Sequence, residues 1–200
     1  MYLNNPTPTI ITNIGTINLT GDKSRGIYIT NNGATTVTNT GNITVGGSSV
    51  INDPSIGIYS ENSTDTINNT GNITAGVNSL GIYSKTAIVN HLSGTIKVGD
   101  NGTAIYSDQG NITIGSGATI TLGTKNAVAA YGINSSSIAN SSNINIGNDN
   151  YGFIIQSGST LVNNGAGNLG KDSVFAYSNN GASIINNAGG VINMTGSNNI

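Results

Sequence analysis

The chain contains no cysteine and no tryptophan, and only 7% of its 200 residues carry charge. Without cysteine it can form neither a disulfide nor a thiolate metal site, which is compatible with export from the cell. Its six Lys and Arg residues are scattered and the net charge is −2. Clustered positive charge of the kind that binds nucleic acid is therefore missing, and we expect no nucleic-acid partner.

Long apolar runs are lacking as well. No stretch approaches the roughly 20 apolar residues of a transmembrane helix, and residues 1–6 have neither the basic nor the apolar region of a signal peptide. If the protein is exported, its signal lies outside this chain. We therefore expect these residues to be a segment of a longer protein.

What the chain does contain is a repeat, Gly-Ile-Tyr-Ser or a close relative. Its tyrosine position falls successively at Tyr28, Tyr59, Tyr83, Tyr106, Tyr131, Ile154 and Tyr177. The steps between these positions are 31, 24, 23, 25, 23 and 23 residues. A fixed period in the low twenties is typical of a solenoid, in which each repeat is one coil that cannot bury its own apolar face.

A second phrase, such as the Asn-Thr-Gly-Asn-Ile of residues 39–43 and 69–73, follows each tyrosine position. A short apolar piece ending in asparagine lies between the two phrases, and stacked asparagines can hydrogen-bond along a ladder. Each coil therefore holds three short strands separated by turns. We predict an all-β, right-handed parallel β-helix of about seven coils of 23–25 residues, forming one continuous unit over residues 1–200. The longer first step predicts a projecting loop at residues 46–55.

Alternation along each strand assigns side chains to faces. The residues three and one before the tyrosine are mostly apolar and are predicted to point inward, as in Ile56/Ile58, Leu80/Ile82, Val128/Ala130 and Val174/Ala176. The tyrosine, and the Gly or Ala two before it, are predicted to point outward. The tyrosines should then stack as an outward ladder that Ile154 interrupts. In the third segment, pairs such as Ile43/Val45 should point inward and residues such as Thr44 outward.

These phrases resemble the passenger repeats of large bacterial type V autotransporter adhesins, most closely those of fusobacteria. The resemblance covers roughly residues 13–200 and rests on the period, the tyrosine column and the Asn-Gly corners. It implies a cell-surface, outer-membrane or secreted protein with a signal, a long β-helix passenger and a C-terminal β-barrel. Neither the signal nor the barrel is in this chain, so contact with a membrane would occur only through a barrel that lies outside it.

The sequence contains few groups of residues that could form an active site. His91 stands alone and is interpreted as a structural or solvated residue, because one histidine without cysteine cannot build a usual zinc site. Glu61 and Asp65, four residues apart after Tyr59, are a carboxylate pair that could serve glycoside hydrolysis, and a solvated corner is the preferred interpretation. Asp53 and Asp149 are isolated, so no metal and no cofactor are expected. Catalytic residues are likewise not expected.

We therefore predict a non-enzymatic stalk or adhesin segment that contacts a surface protein or glycan of another cell. Its candidate binding residues are the outward tyrosines, Tyr28, Tyr59, Tyr83, Tyr106, Tyr131 and Tyr177. Exposed aromatic rows can hold partners, although stacking that stabilises the rod itself explains them as well. Two alternatives remain open: a polysaccharide-binding or polysaccharide-degrading β-helix, and a spacer without contacts of its own.

Overall fold

In the computed structural model, which describes residues 1–4, 7–30 and 33–200, the chain is all β. Its first eleven strands are β1 (Tyr2–Leu3), β2 (Thr9–Asn13), β3 (Thr16–Leu19), β4 (Arg25–Ile29), β5 (Thr35–Asn39), β6 (Asn42–Val45), β7 (Ile56–Ser60), β8 (Thr66–Asn69), β9 (Asn72–Ala75), β10 (Leu80–Ser84) and β11 (Ile88–Val98). The others are β12 (Thr103–Asp108), β13 (Asn111–Thr121), β14 (Val128–Ile133), β15 (Ser137–Asn140), β16 (Ile144–Gly147), β17 (Tyr151–Ile155), β18 (Thr160–Asn163), β19 (Ala166–Leu169), β20 (Val174–Ser178), β21 (Ser183–Asn186) and β22 (Val191–Met194).

These strands form a β-solenoid of eight coils, which confirms the predicted fold class. Coils 1, 2, 3, 6, 7 and 8 hold three strands each, while coil 4 consists of β10 and β11 and coil 5 of β12 and β13. The sequence predicted about seven coils because counting began at Tyr28. The additional coil is the first, where Tyr2 pairs with Tyr28 in register.

Parallel pairing between equivalent strands of successive coils builds the sheets. The first, here called the tyrosine sheet, has the order β1-β4-β7-β10-β12-β14-β17-β20. The second, the asparagine sheet, runs β2-β5-β8-β11-β13-β15-β18-β21. The third sheet contains β3, β6, β9, β16, β19 and β22, and it joins the second because β11 and β13 are each 11 residues long and pass through the corner.

The core is a narrow column of aliphatic side chains along the axis of the solenoid. In the third sheet Ile43 and Val45 are buried and Thr44 lies on the outer side, as the alternation predicted. The same holds for Ile73 and Ile96, which are fully buried. Each coil can bury these side chains only against its neighbours, so the fold depends on continuous stacking.

One part of the face assignment is wrong. The residues three before the tyrosine lie outside the core cluster: Leu80 and Val174 are half-buried, and Ile56 and Val128, although buried, do not belong to the cluster either. The small residue two before the tyrosine points inward instead: Ala104 and Ala129 are fully buried, and a Cβ on Gly26 would lie 2.8 Å from Cγ2 of Ile43. A bend at this position places two successive residues inward, so strict alternation fails there.

In coils 7 and 8 a large side chain occupies the position of the bend, and a small residue lies opposite it in the third sheet. Phe175 takes the position that is Gly or Ala in coils 2–7, and a Cβ on Gly167 would lie 2.4 Å from its ring. Gly167 in turn interrupts a column in which its register neighbours are Ile144 and Ile192. Phe175 also packs edge to face against Phe153, with ring centroids 5.5 Å apart. The interior volume is thus kept filled, as close packing requires.

Candidate binding face and its flanking loop

The tyrosine column is the set of stacked outward positions on the tyrosine sheet: Tyr2, Tyr28, Tyr59, Tyr83, Tyr106, Tyr131, Ile154 and Tyr177. From Tyr2 to Tyr131 the successive ring centroids are 5.5, 4.7, 4.8, 5.3 and 5.1 Å apart. The predicted ladder and its interruption at Ile154 are therefore present. Tyr2 was missed, although its spacing of 26 residues from Tyr28 was a usable signal.

The stacking decides which part of each ring a partner can reach. The interplanar angle is 9° between Tyr59 and Tyr83 and 7° between Tyr83 and Tyr106, so both faces of the Tyr83 ring are covered by neighbours. These rings are half-buried, and the surface they offer consists of ring edges and hydroxyl groups. A sugar ring that stacks on an aromatic face finds no free face in the middle of the column.

Burial also keeps the phenols protonated. It raises the pKa of Tyr106 to about 12, with smaller contributions from the neighbouring Tyr83 and Tyr131. The pKa values of Tyr59, Tyr83 and Tyr131 are raised for the same primary reason. At neutral pH the column therefore presents hydroxyl groups that can donate and accept hydrogen bonds, and no negative charge of its own.

Some of these hydroxyls donate hydrogen bonds to polar side chains that lie two residues after a column position. The Tyr59 hydroxyl donates to the exposed Glu61 carboxylate, and the Tyr131 hydroxyl donates to Oε1 of Gln156 at 2.9 Å. The bond from Tyr131 spans to the next coil, where Ile154 supplies no ring. The face is thus a ridge of aromatic edges bordered by a polar row.

The loop at residues 46–55 follows β6 and holds no strand. Its base is fixed by hydrogen bonds to the turn between β3 and β4, where the Asp22 carboxylate accepts from the Ser49 amide and hydroxyl at 3.0 and 2.5 Å. Ser48, which is buried, donates to the carbonyl oxygens of Val50 and Asp53 at 2.9 and 2.7 Å. These bonds preorganise the loop, and the hydrogen bonds from Ser49 lower the pKa of Asp22.

An ion-pair cluster holds the other side of this loop. Asp53 accepts from Nη2 of Arg25 at 2.9 Å, and Nζ of Lys23 lies 3.4 Å from the same carboxylate. The hydrogen bond from Arg25 lowers the pKa of Asp53, so the carboxylate stays charged at neutral pH. At the tip, Val50 and Ile51 expose 42% and 66% of their surface. The loop therefore has a base fixed by hydrogen bonds and ion pairs, and an exposed apolar tip.

A second column runs inside the solenoid and is called here the asparagine column. Its members are Asn13, Asn39, Asn69, His91, Ile114, Asn140, Asn163 and Asn186. Nδ2 of Asn39 donates to Oδ1 of Asn69 at 2.6 Å, and Nδ2 of Asn163 donates to Oδ1 of Asn186 at 2.8 Å. The same Nδ2 of Asn163 also donates to the Gly165 carbonyl at 3.0 Å, which ties the corner that leads to the third sheet.

His91 belongs to this column and is fully buried, so it is a structural residue. Its Nδ1 lies 3.0 Å from Nδ2 of Asn69 and its Nε2 lies 3.4 Å from the Thr119 carbonyl. A neutral ring that accepts at Nδ1 and donates from Nε2 satisfies both contacts. Desolvation lowers the pKa of His91, in agreement with that neutral form.

The carboxylate pair considered for hydrolysis does not share a solvent-facing site. Asp65 is only 1% exposed, and its oxygens accept from the Ser60 hydroxyl at 2.6 Å and the Thr35 amide at 2.8 Å. Glu61 is exposed and engaged with Tyr59. The interpretation of Asp65 as part of a solvated corner was wrong, because residues of neighbouring strands enclose it. Burial raises its pKa.

A cleft opens in the third sheet between β13 and β16. Here β13 and β16 pair at Thr121 and Asn145, whereas β6 and β9 pair along their whole length. The cleft has a volume of about 220 Å³, and its lining is mixed: Thr119, Thr121, Asn143 and Asn145 are polar, while Ile120, Leu122 and Ile146 are apolar. Oδ1 of Asn145 already accepts from Asn168 at 2.9 Å, so its Nδ2 is the group left to donate to a ligand.

Metal ligands do not cluster in the part of the chain that the structure describes, where no group of three His, Cys, Asp or Glu residues could hold an ion. Over the same residues, no helix is long and apolar enough to cross a membrane. Comparison with protein families, with curated proteins and with solved structures found no match.

Proposed function

We propose that this chain is a non-enzymatic segment of a bacterial surface or secreted passenger, which acts as a rod and presents a contact loop to another cell. The observation that carries the proposal is the preorganised loop at residues 46–55, anchored on an otherwise uninterrupted stack of coils. The stack itself supplies a spacer, because each coil adds about 4.8 Å along the axis. The resemblance to autotransporter adhesins supports the same assignment.

The loop is the preferred contact because its ordering occurs before binding. Ser48, Ser49 and Asp53 fix its backbone through the bonds described above. A preorganised loop loses less conformational entropy on association than a mobile one, which favours affinity. Its exposed Val50 and Ile51 would fill an apolar depression on a surface protein of the partner cell, and the charged base would set the orientation.

The test replaces the tip and leaves the base intact. A Val50→Ser/Ile51→Ser double variant should retain the far-ultraviolet circular dichroism spectrum of the wild type, because neither side chain belongs to the core cluster. Beads coated with the variant should bind epithelial and bacterial target cells at least tenfold less than wild-type beads. Ile10→Ser, a substitution of a 76% exposed residue on the asparagine sheet, is the matched control. Equal binding by all three proteins would discard the loop as the contact.

The cleft between β13 and β16 supports a second candidate, binding of a glycan. Oδ1 of Asn143 and Oδ1 of Asn145 already accept from Ala166 and Asn168, so Nδ2 of each asparagine and the hydroxyls of Thr119 and Thr121 would supply the hydrogen bonds to a sugar residue. Hydrolysis of a polysaccharide is not proposed, because Asp65 is buried and cannot act together with Glu61. An Asn143→Ala/Asn145→Ala variant should lower retention on immobilised bacterial polysaccharide. Retention equal to that of the wild type would remove the cleft from consideration.

A further inference from the structure

Tyr59 and Tyr83, in the middle of the tyrosine column, have a geometry that suits a reaction between their rings. The two ring centroids lie 4.8 Å apart and the ring planes are 9° from parallel, so equivalent carbons of the two rings face one another. The two residues are register partners on the neighbouring parallel strands β7 and β10. Tyr28 and Tyr59 are as close, at 4.7 Å, but the angle of 42° between their planes turns most ring atoms away from such a match.

Glu61 supplies a base for one ring of this pair. The Tyr59 hydroxyl donates to the Glu61 carboxylate, whereas the Tyr131 hydroxyl donates to the neutral amide oxygen of Gln156. A phenol that loses an electron becomes a strong acid, and it forms a neutral radical when a nearby base takes its proton. A carboxylate can take up that proton and an amide oxygen cannot. Oxidation of the column should therefore leave a neutral radical at Tyr59.

Negative charge near Tyr83 favours removal of an electron from the second ring. Burial raises the pKa of the Tyr83 phenol, and the carboxylates of Asp108 and Glu61 raise it further. Negative charges that disfavour a phenolate stabilise an electron-poor ring, because the sign of the interaction is reversed. The Tyr83 hydroxyl lies at the half-buried outer edge of the column, where water can accept its proton.

We propose that Tyr59 and Tyr83 are an oxidative modification site, at which hydrogen peroxide and a haem peroxidase join the two rings as a dityrosine. Each phenol loses one electron and one proton, and the proton of Tyr59 passes to Glu61. The two radicals then form a carbon–carbon bond between the ring carbons next to the hydroxyl-bearing carbons. The hydrogen on each bonded carbon leaves as a proton and each oxygen takes one up, which restores both phenols. Hydrogen peroxide accepts the two electrons and two protons and becomes two molecules of water.

The new bond would be a covalent link between coils 3 and 4, which are otherwise held by non-covalent stacking. Tyr59 and Tyr83 are 24 residues apart, so the link would close a loop in the unfolded chain and favour the folded state. Because β7 directly follows the loop at residues 46–55, the link would also fix the coil on which that loop ends. This inference does not depend on the proposed adhesion.

The experiment treats the 200-residue chain with hydrogen peroxide and a haem peroxidase at low protein concentration. The product is unfolded and digested with a protease that cuts before aspartate, which places Tyr59 on residues 53–64 and Tyr83 on residues 65–99. Mass spectrometry identifies the linked peptides, which together are two hydrogen atoms lighter than the separate peptides. The blue fluorescence of dityrosine measures the yield, and a denaturing gel separates links within a chain from links between chains.

Two substitutions test the role of the carboxylate. Glu61→Gln keeps a hydrogen-bond acceptor for Tyr59 but removes the base. Gln156→Glu is the matched gain variant, because it offers a carboxylate to Tyr131, whose ring stacks on Tyr106 with centroids 5.1 Å apart. Far-ultraviolet circular dichroism checks that both variants keep the fold of the wild type.

The wild type should form the link between Tyr59 and Tyr83 within single chains. Glu61→Gln should lower the yield of that link about tenfold, because the proton of Tyr59 has no base to receive it. Gln156→Glu should add a second link, between Tyr106 and Tyr131, which joins residues 100–107 to residues 108–148.

A wild type that forms links only between chains, or none between Tyr59 and Tyr83, would overturn the proposal. An undiminished yield in the Glu61→Gln protein would overturn it as well. The same holds if the Gln156→Glu protein gains no link, since either result would mean that a hydrogen-bonded carboxylate does not select the site of oxidation.

Discussion

The asparagine column and the tyrosine column arise from the same repeat, yet they respond differently when a residue changes. The inner column has no asparagine at His91 and Ile114. There β11 and β13 continue through the corner without a break, and their register is irregular between His91 and Ser93. Where the outer column loses tyrosine, at Ile154, Tyr131 and Tyr177 keep their register on either side.

The difference has a physical cause. An inner asparagine such as Asn163 bonds to the coils below and above and to the Gly165 carbonyl of its own corner, out of reach of water. Removing it leaves buried polar groups without partners. An outer tyrosine contributes ring stacking at a surface where other side chains are accommodated. We infer that the inner column determines the shape of each coil, while the outer column adds stability and remains adjustable.

The greatest loss of stability is expected in the inner column, where Asn163 can be compared with its exposed neighbour Asn164. Asn163→Ala should destabilise the protein by about 3 kcal/mol, because in the interior the Gly165 carbonyl loses a donor and Nδ2 of the fully buried Asn140 loses an acceptor. Asn164→Ala should cost less than about 0.5 kcal/mol, since the bond of Asn164 to Asn187 is exposed. Urea unfolding followed by circular dichroism measures both. Equal midpoints for the two variants would contradict the assignment.

A smaller effect is expected in the outer column. Tyr106→Ala should destabilise by about 1 to 2 kcal/mol, because the ring stacks on both Tyr83 and Tyr131. Tyr106→Phe keeps the stacking and should stay within about 0.5 kcal/mol of the wild type. Thermal unfolding distinguishes the two. If the Phe variant were as unstable as the Ala variant, the hydroxyl and not the stacked ring would be the source of stability.

Filling the gap in the outer column should help the fold by a still smaller amount. Ile154→Tyr would place a ring between Tyr131 and Tyr177 and complete the ladder from coil 1 to coil 8. We expect a gain of about 0.5 kcal/mol in the free energy of unfolding, the lower range for an aromatic pair. A clear loss of stability in the same thermal assay would show that the column is not adjustable at this coil.

The subtlest effect concerns pH and His91. Because burial lowers the pKa of folded His91 below its usual 6.5, the unfolded chain takes up a proton first as pH falls. The contribution of His91 to stability is therefore complete above about pH 6.5 and is lost as pH falls from there toward the folded pKa. His91→Asn should remove this dependence, and Asp65, which is present in both proteins, cancels in the comparison. Parallel curves of melting temperature against pH between 5 and 8 would refute the role of His91.

Much of the fold was predictable because stacking repeats each position at a fixed spacing. The solenoid, the tyrosine ladder, the Ile154 gap and the inward side chains of the third sheet all follow from period and alternation. Tyr2 was missed because only Met1 precedes it, so the small residue that stands two before the column position in coils 2–7 is missing there. The inward direction of Gly26 was missed because alternation assumes an unbent strand, and the backbone bends there.

The environments of single polar residues were harder to predict. Asp65 and His91 look like turn residues in the sequence, yet partners 22 to 30 residues away surround them. Such contacts depend on which coil lies above and below, which the local pattern does not specify. The cleft between Thr121 and Asn145 has the same origin, since it reflects imperfect pairing between two coils. Contacts and clefts formed between coils could therefore not be predicted from the sequence.

Exchange of asparagine side-chain amide protons, followed by NMR, measures whether the asparagine column is closed to water. We expect the Nδ2 protons of Asn39, Asn140 and Asn163 to exchange with solvent far more slowly than those of the exposed Asn164 and Asn187, because the inner ladder is buried. If the two groups exchanged at similar rates, the buried asparagine column would not hold the coils together as described.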